Sequence, residues 1–295
     1  MGKIARPAFM HVVIMLSMTA ESRERVRRYF DEFGDAEWHR LTGDVTGRVS
    51  LEVHRRFLAR FVKPGHRVLE VGAGPGRFTV ELAALGATAV VTDLSPVQLA
   101  LNAEHLRGSA AESAVERREV LDICDTGRYA DGEFDAVLAY GGPLSYAFEQ
   151  AEDALRGLLR VTRPGGVVVG SVMSLIGIWR HCLPQITEEA EVIGEDANDR
   201  ILHTGDLRHK GGREGHVCRM FRARELSALI EAAGGRTLAL SASNWASLGD
   251  PATLAVLEAD EDRWARFVEH EVRACAEPGA VDGGTHLLFA AQRPV

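Results

Sequence analysis

Cysteine is scarce in this chain. The 295 residues hold four, Cys124, Cys182, Cys218 and Cys275, widely scattered and none in a C-x-x-C pair. That spacing excludes a disulfide framework and offers no zinc motif, so reduced cytoplasmic thiols are the simplest reading. No apolar run is long enough to span a bilayer, and no repeat or low-complexity block interrupts the sequence. Positive charge is outweighed: 34 Lys and Arg against 42 Asp and Glu leave a formal −8. A general nucleic-acid binder would usually be basic. Neither a membrane nor a nucleic acid is therefore expected as a partner. What remains is an ordinary globular composition, 46 % hydrophobic, long enough for one or two domains.

The stretch Arg67–Pro96 organises the chain. Arg67–Val71 is short, apolar and β-branched, as a buried parallel strand would be. Glycines follow at Gly72, Gly74 and Gly76. Phe78, Leu82 and Leu85 then give helical spacing, and Gly86 stops that helix. Ala87–Val91 reads as a second strand ending on Asp93. This is a strand–turn–helix–strand unit with its glycines at the carboxyl end of the first strand, where open α/β sheets bind ligands. The dinucleotide fingerprint fails, because glycine stands one place early and Arg77 occupies the last place. Glu70, a carboxylate just before the turn, is expected to repel a pyrophosphate and attract a phosphate-free cationic ligand. Asp93 lies 23 residues further on (93 − 70), where an acid can accept from both hydroxyls of a ribose. A nucleoside with a cationic, phosphate-free tail is S-adenosylmethionine.

Glu70-Val-Gly-Ala-Gly-Pro-Gly followed by Thr92-Asp-Leu-Ser-Pro resembles the first two motifs of the class I S-adenosylmethionine-dependent methyltransferases. Glu119-Val-Leu-Asp-Ile resembles the segment whose acid meets the adenine amino group, and Arg163-Pro-Gly-Gly-Val-Val-Val the turn into the fifth strand. The resemblance implies an α/β, three-layer Rossmann-like fold with a seven-stranded sheet whose last strand is antiparallel. It implies cofactor contacts from Glu70, Gly72, Gly74, Gly76, Arg77, Asp93, Leu94, Asp122, Ile123 and Tyr140. Tyr140-Gly-Gly-Pro stands where amino-methylating branches often carry Asn-Pro-Pro-Tyr or Asp-Pro-Pro-Tyr, which weakens the case for a base or amide acceptor.

Along the chain, residues 1–20 are expected to form a disordered extension, with Met15 or Met18 as an alternative start. Residues 21–64 read as a helical cap whose Tyr29, Phe30 and Trp38 either close the pocket or only pack on the sheet. Residues 65–172 form the cofactor-binding half and 223–295 complete the sheet. Helices are expected at Val49–Phe61, Pro96–Leu106, Gln150–Val161 and Ala223–Ala233, with one helix or a pair over Thr253–Ala276. Strands are expected at Val115–Leu121, Phe134–Tyr140, Val167–Val172, Arg236–Ala242 and Thr285–Ala291. Residues 173–222 form an insertion without strong periodicity, read as a substrate lid.

The second half of that lid is basic, with Arg200, Arg208, Lys210, Arg213, Arg219, Arg222 and Arg224 against Asp206 and Glu214. In an acidic protein this suggests a carboxylate or phosphate acceptor, against the plainer reading of a solvated loop. Tyr29, Tyr146, Trp179, His203, Arg208 and Trp245 are candidate substrate contacts. A base is needed only if the acceptor must lose a proton. His181, His203, His209 and His216 then qualify, as do Glu188 or Glu189 for a carbon acceptor and Tyr140 by its place near the reacting centre. The histidines lack the fixed spacing of a metal site.

The expected activity is in-line methyl transfer to a small, possibly anionic metabolite in specialised metabolism, by a cytoplasmic monomer or homodimer. The alternatives are an RNA or protein methyltransferase, a dinucleotide oxidoreductase, and a non-catalytic cofactor-binding module.

Overall fold

The computed structural model describes residues 8–210 and 216–295, with side chains from Glu21 onward. Residues 1–7 of the extension, and Arg213 and Glu214 of the basic lid segment, lie outside the described residues.

The first strand, β1 (Arg67–Val71), is flanked by β2 (Thr88–Asp93) and β4 (Phe134–Ala139), with β3 (Val115–Val120) outside β2. On the other side come β5 (Thr162–Met173), β7 (His286–Gln292) and β6 (Arg236–Ala242). The order is β3-β2-β1-β4-β5-β7-β6, and β7 runs antiparallel to both its neighbours. This is the expected Rossmann-like sheet, and its topology has a physical consequence for the site. An antiparallel strand begins where its parallel neighbours end. His286, the first residue of β7, therefore pairs with Met173, the last of β5, at the ligand-binding edge.

The central strands β1, β2, β4 and β7 are buried on both faces, which is why they read as near-continuous apolar runs, while the edge strands β3 and β6 are more exposed. Side chains still alternate. Leu69, Val71, Val90 and Val137 enter one core cluster, together with Leu155 and Leu158 of α6 (Ala151–Val161) and Leu226 and Ile230 of α10 (Ala223–Ala232). Val68, Ala89, Val91 and Leu138 enter the other. That face is covered by α3 (Val45–Ala59), α4 (Arg77–Ala84) and α12 (Glu261–Cys275), through Val49, Val53, Leu82 and Cys275.

The helices begin where their caps allow. Ser95 accepts the amide of Gln98 at the start of α5 (Pro96–Leu106), with Pro96 in the first turn. Asp44 caps α3, and Asp250 and Asp260 cap α11 (Pro251–Glu258) and α12. Each cap contributes about 1 kcal/mol. The region expected as a helix or pair is this pair.

The first helix, α1 (Ala8–Phe33), ends at Gly34, and the short α2 (Ala36–His39) follows. In the lid, α7 (Leu175–His181), α8 (Leu183–Ile193) and α9 (Glu195–Thr204) surround a small core of Leu175, Ile201, Cys218 and Met220. The lid is thus helical, with a core of its own. Among the described residues no helix is long and apolar enough to cross a membrane.

Candidate functional site

The parallel strands end in a groove of about 900 Å³, counting its open mouth. Gly72 and Gly74 line its floor. Gly72 has φ +68°, and a Cβ there would lie 2.6 Å from Pro143 Cγ, so the turn tolerates only glycine. Gly76 does different work. It does not line the groove, and a Cβ on it would meet Leu106 and Asn102.

Asp93 lines the groove and is oriented by the backbone: its Oδ2 accepts from Gly74 N and its Oδ1 from Ser95 N, both at 2.8 Å. Burial pushes its carboxyl up to about 6, against those two amides. Asp122 and Ile123 follow β3 on the adjoining wall. Asp122 pairs with Arg23 of α1 at 2.9 Å and accepts from Cys124 N. Leu94 completes the apolar side, whereas Leu99 of α5 packs in the core. Arg208 reaches over from the lid. Its guanidinium stacks on Phe148 at 4.1 Å and pairs with Asp206 and Glu149.

One buried atom in this groove lacks a partner. Gln98 spends its amide N–H groups on the carbonyls of Phe30 and Gly34, leaving Oε1 buried with no donor. That oxygen lies 3.8 Å from where a Gly74 Cβ would stand, and Glu37 Cγ lies 3.6 Å from the same point. Gly74 therefore keeps open a notch walled by a free acceptor and two carboxylates, Glu37 and Asp93. A group with hydroxyl or ammonium donors satisfies Gln98 Oε1 there; a phosphate does not. The donor set fits S-adenosylmethionine.

Four cofactor candidates sit elsewhere. Glu70 points away from the groove. It is buried, accepts from Thr79 Oγ1 at 2.7 Å, and leaves Oε1 unpartnered. Burial raises its carboxyl to about 8, so it is largely neutral at pH 7. Glu70 therefore fastens β1 to α4, and the carboxylates that line the groove are Glu37, Asp93 and Asp122. Arg77 stacks on Trp38 at 3.7 Å and donates to its carbonyl, which makes both residues packing elements. Tyr140 lies in the core, its hydroxyl donating to His54 O at 3.2 Å. Gly76 is the fourth, as described above.

Beyond Gly141 the groove meets a second chamber of about 490 Å³, again counting its mouth. Phe30, Glu37, Gly141 and Tyr146 line both and mark the junction. Tyr29, Phe33, Arg40, Met173, His216 and His286 complete the chamber. The Tyr146 hydroxyl meets His216 Nε2 at 2.9 Å, and Tyr29 lies 5.0 Å from the same imidazole. Burial lowers His216 to about 4 and holds Tyr146 well above its usual 10, so both are neutral at pH 7.

Of the remaining substrate and base candidates, Tyr29, Tyr146, Arg208 and His216 line one cavity or the other. Trp179, His181, Glu188, His203 and His209 are exposed and line neither. Glu189 pairs with Lys210. Trp245 faces Arg180 and packs against Gly283, away from both cavities.

Sequence reading missed Arg23, Glu37, Gln98 and His286. Only His286 carried a usable signal, since an antiparallel last strand must begin at the ligand-binding edge.

The profile of a family described as a methyltransferase domain matches residues 68–166. A demethylmenaquinone methyltransferase of Corynebacterium efficiens is 34 % identical over 149 residues, 48 % of this chain and 56 % of that one. The chain spans between 37 % and 56 % of the length of the curated relatives it matches. The methyltransferase solved in complex with the Haloferax volcanii Trm112 methyltransferase activator gives a TM-score of 0.54 at 19 % identity, over 90 % of this chain and 98 % of that one. The [4+2]-cyclase SpnF gives 0.51 at 20 % identity, over 83 % and 81 %. At these identities the structural likeness shows the fold alone.

Proposed function

We infer that this chain, a member of the class I S-adenosylmethionine-dependent methyltransferase family, methylates a small metabolite held in the aromatic chamber. One observation carries the reading. The groove that suits the nucleoside shares Phe30, Glu37, Gly141 and Tyr146 with an adjoining chamber whose remaining wall is its own. When bound, S-adenosylmethionine supplies an electrophilic sulfonium methyl. Asp93 and Asp122 bind the ribose and adenine ends, and Gln98 Oε1 and Glu37 take the donors of the tail. Phe30 and Tyr146 orient the acceptor in line and exclude water, which is most of what the reaction requires.

The relatives named for demethylmenaquinone support a small-molecule acceptor, and a place in specialised metabolism remains part of the same reading. The anionic acceptor has less support. Arg208, Lys210 and Arg222 are each paired with lid or neighbouring carboxylates, and Arg219 lies over Phe221. Titration with S-adenosylhomocysteine tests the reading. Saturable one-to-one binding, abolished by excess S-adenosylmethionine, is expected; no binding overturns it.

A further inference from the structure

The chamber's lining selects among acceptors. Its walls are rings: Tyr29, Phe30, Phe33 and Tyr146, with Met173 beside them. Phe30 meets Tyr146 edge to face at 5.4 Å, and Tyr29 stacks on Phe33 at 5.8 Å. Such walls favour a flat apolar ring. The ionic groups in the lining are Glu37 and Arg40, and they neutralise one another at 2.7 Å. An anionic acceptor would lose its hydration and find Arg40 already engaged. A cationic one would likewise lose its hydration and find Glu37 already engaged.

The polar side chains left are the Tyr146–His216 pair, the Tyr29 hydroxyl and His286. The His286 Nδ1 lies 3.4 Å from Thr285 Oγ1, and its Nε2 hydrogen-bonds no described residue. Burial first, then Arg40, His54 and His216, hold this imidazole well below its usual 6.5, so it too is neutral. A single hydroxyl on the ring edge suits such a set.

We propose that the acceptor is an uncharged, planar, hydroxylated aromatic molecule, and that Tyr146 receives its hydroxyl proton while passing its own to His216. This rests on the methyl-transfer reading above. Tyr146 lines both cavities, and its hydroxyl meets His216 on the chamber side. With the Tyr146 O–H donated to His216 Nε2, its lone pairs are free to accept. As the acceptor oxygen forms its bond to carbon, the C–S bond breaks and its electron pair stays on sulfur, giving the thioether. The acceptor O–H, made strongly acidic by that bond, passes its proton to Tyr146 O. The Tyr146 proton moves to Nε2, and the imidazolium later releases it to solvent. A weakly basic histidine is sufficient, because it takes the proton from an oxygen that is becoming cationic.

The test uses the full chain with a panel of mono- and dihydroxylated benzenes and naphthalenes, set against aliphatic carboxylates, phosphate monoesters and amines. Binding is measured by calorimetry in the presence of saturating S-adenosylhomocysteine. Turnover is followed by S-adenosylhomocysteine release, with product mass. Saturable binding and O-methylation confined to the hydroxylated rings are expected. Tyr146→Phe should lower kcat by at least about 10²-fold with KM little changed, and His216→Asn by a similar factor, both keeping wild-type melting and S-adenosylhomocysteine affinity.

The groups facing His216 are Arg25, Tyr29, Glu37, Arg40, Tyr146 and His286, with Lys210 on the lid. Burial and then Lys210 hold it near 4. At saturating cofactor the acid limb of kcat should therefore fall near pH 4 and vanish in His216→Asn. Turnover of carboxylates, phosphates or amines, or a Tyr146→Phe variant as fast as wild type, overturns the proposal while leaving methyl transfer intact. Loss of cofactor binding by the wild-type protein would instead remove the reading beneath it.

Discussion

Asp93 is fixed by backbone amides 2 and 19 residues away, whereas Tyr146 is fixed by an imidazole 70 residues away. The floors of the two cavities differ in this way. The floor of the groove is shaped by tight turns at successive strand ends, with short-range hydrogen bonds holding Asp93, while Arg23 of α1 and Arg208 of the lid reach it from a distance. The aromatic chamber is assembled from α1, the loop after β4, the lid and the start of β7, which come together only in the folded chain. Local backbone geometry gives the first its rigidity; the second depends on packing between distant elements. Likeness to a [4+2]-cyclase as well as to a methyltransferase shows a shared fold, and a fold by itself does not fix the chemistry.

The sharpest way to break the groove alone is Gly72→Ala. The new Cβ combines positive φ with a 2.6 Å clash against Pro143, and should cost roughly 2–4 kcal/mol, read by denaturant unfolding together with loss of S-adenosylhomocysteine binding. Asp93→Ala should weaken that binding about 10- to 100-fold, roughly 1.4–2.8 kcal/mol by calorimetry, and leave acceptor specificity unchanged.

Acid separates binding from stability. Asp93 titrates near 6 against an ordinary 3.8, so the ionised form that accepts from ribose is lost as pH falls through 6. Cofactor affinity should then drop, by roughly tenfold per pH unit at the limit. The same raised value means that Asp93 itself adds stability to the ligand-free protein as pH falls from about 6 to 3.8. A melting curve and a binding curve over that window should therefore move in opposite directions from this group.

Smaller effects bear on the boundary between the cavities. Arg208→Ala removes the lid's stack on Phe148 and its ion pairs, and should weaken cofactor binding about 3- to 10-fold, roughly 0.7–1.4 kcal/mol. Trp179→Ala, on the exposed side of the lid, should change stability by less than about 0.5 kcal/mol and activity not at all.

What the sequence made legible follows the same division. Helix α5 and strand β6 begin and end where expected, because Ser95-Pro96 and the apolar run of β6 are local signals. Asp93, Asp122 and the glycine turn could be placed because each sits at a strand end. Glu70 sits at a strand end too, yet was misplaced: alternation along a strand fixes which face a side chain takes, and this one faces α4. The lid histidines could not be ranked, since nothing local distinguishes His216, which meets Tyr146, from exposed His203 and His209. Glu37 and Gln98 were invisible because their roles depend on α1 and α2 packing over the glycine turn.

The most direct measurement is a crystal structure of the complex with S-adenosylhomocysteine. The account predicts ribose hydroxyls on Asp93, the adenine amine near Asp122, and sulfur at the Gly141–Tyr146 junction facing the aromatic chamber. A nucleoside bound elsewhere, or a sulfur turned away from Tyr146, would contradict it.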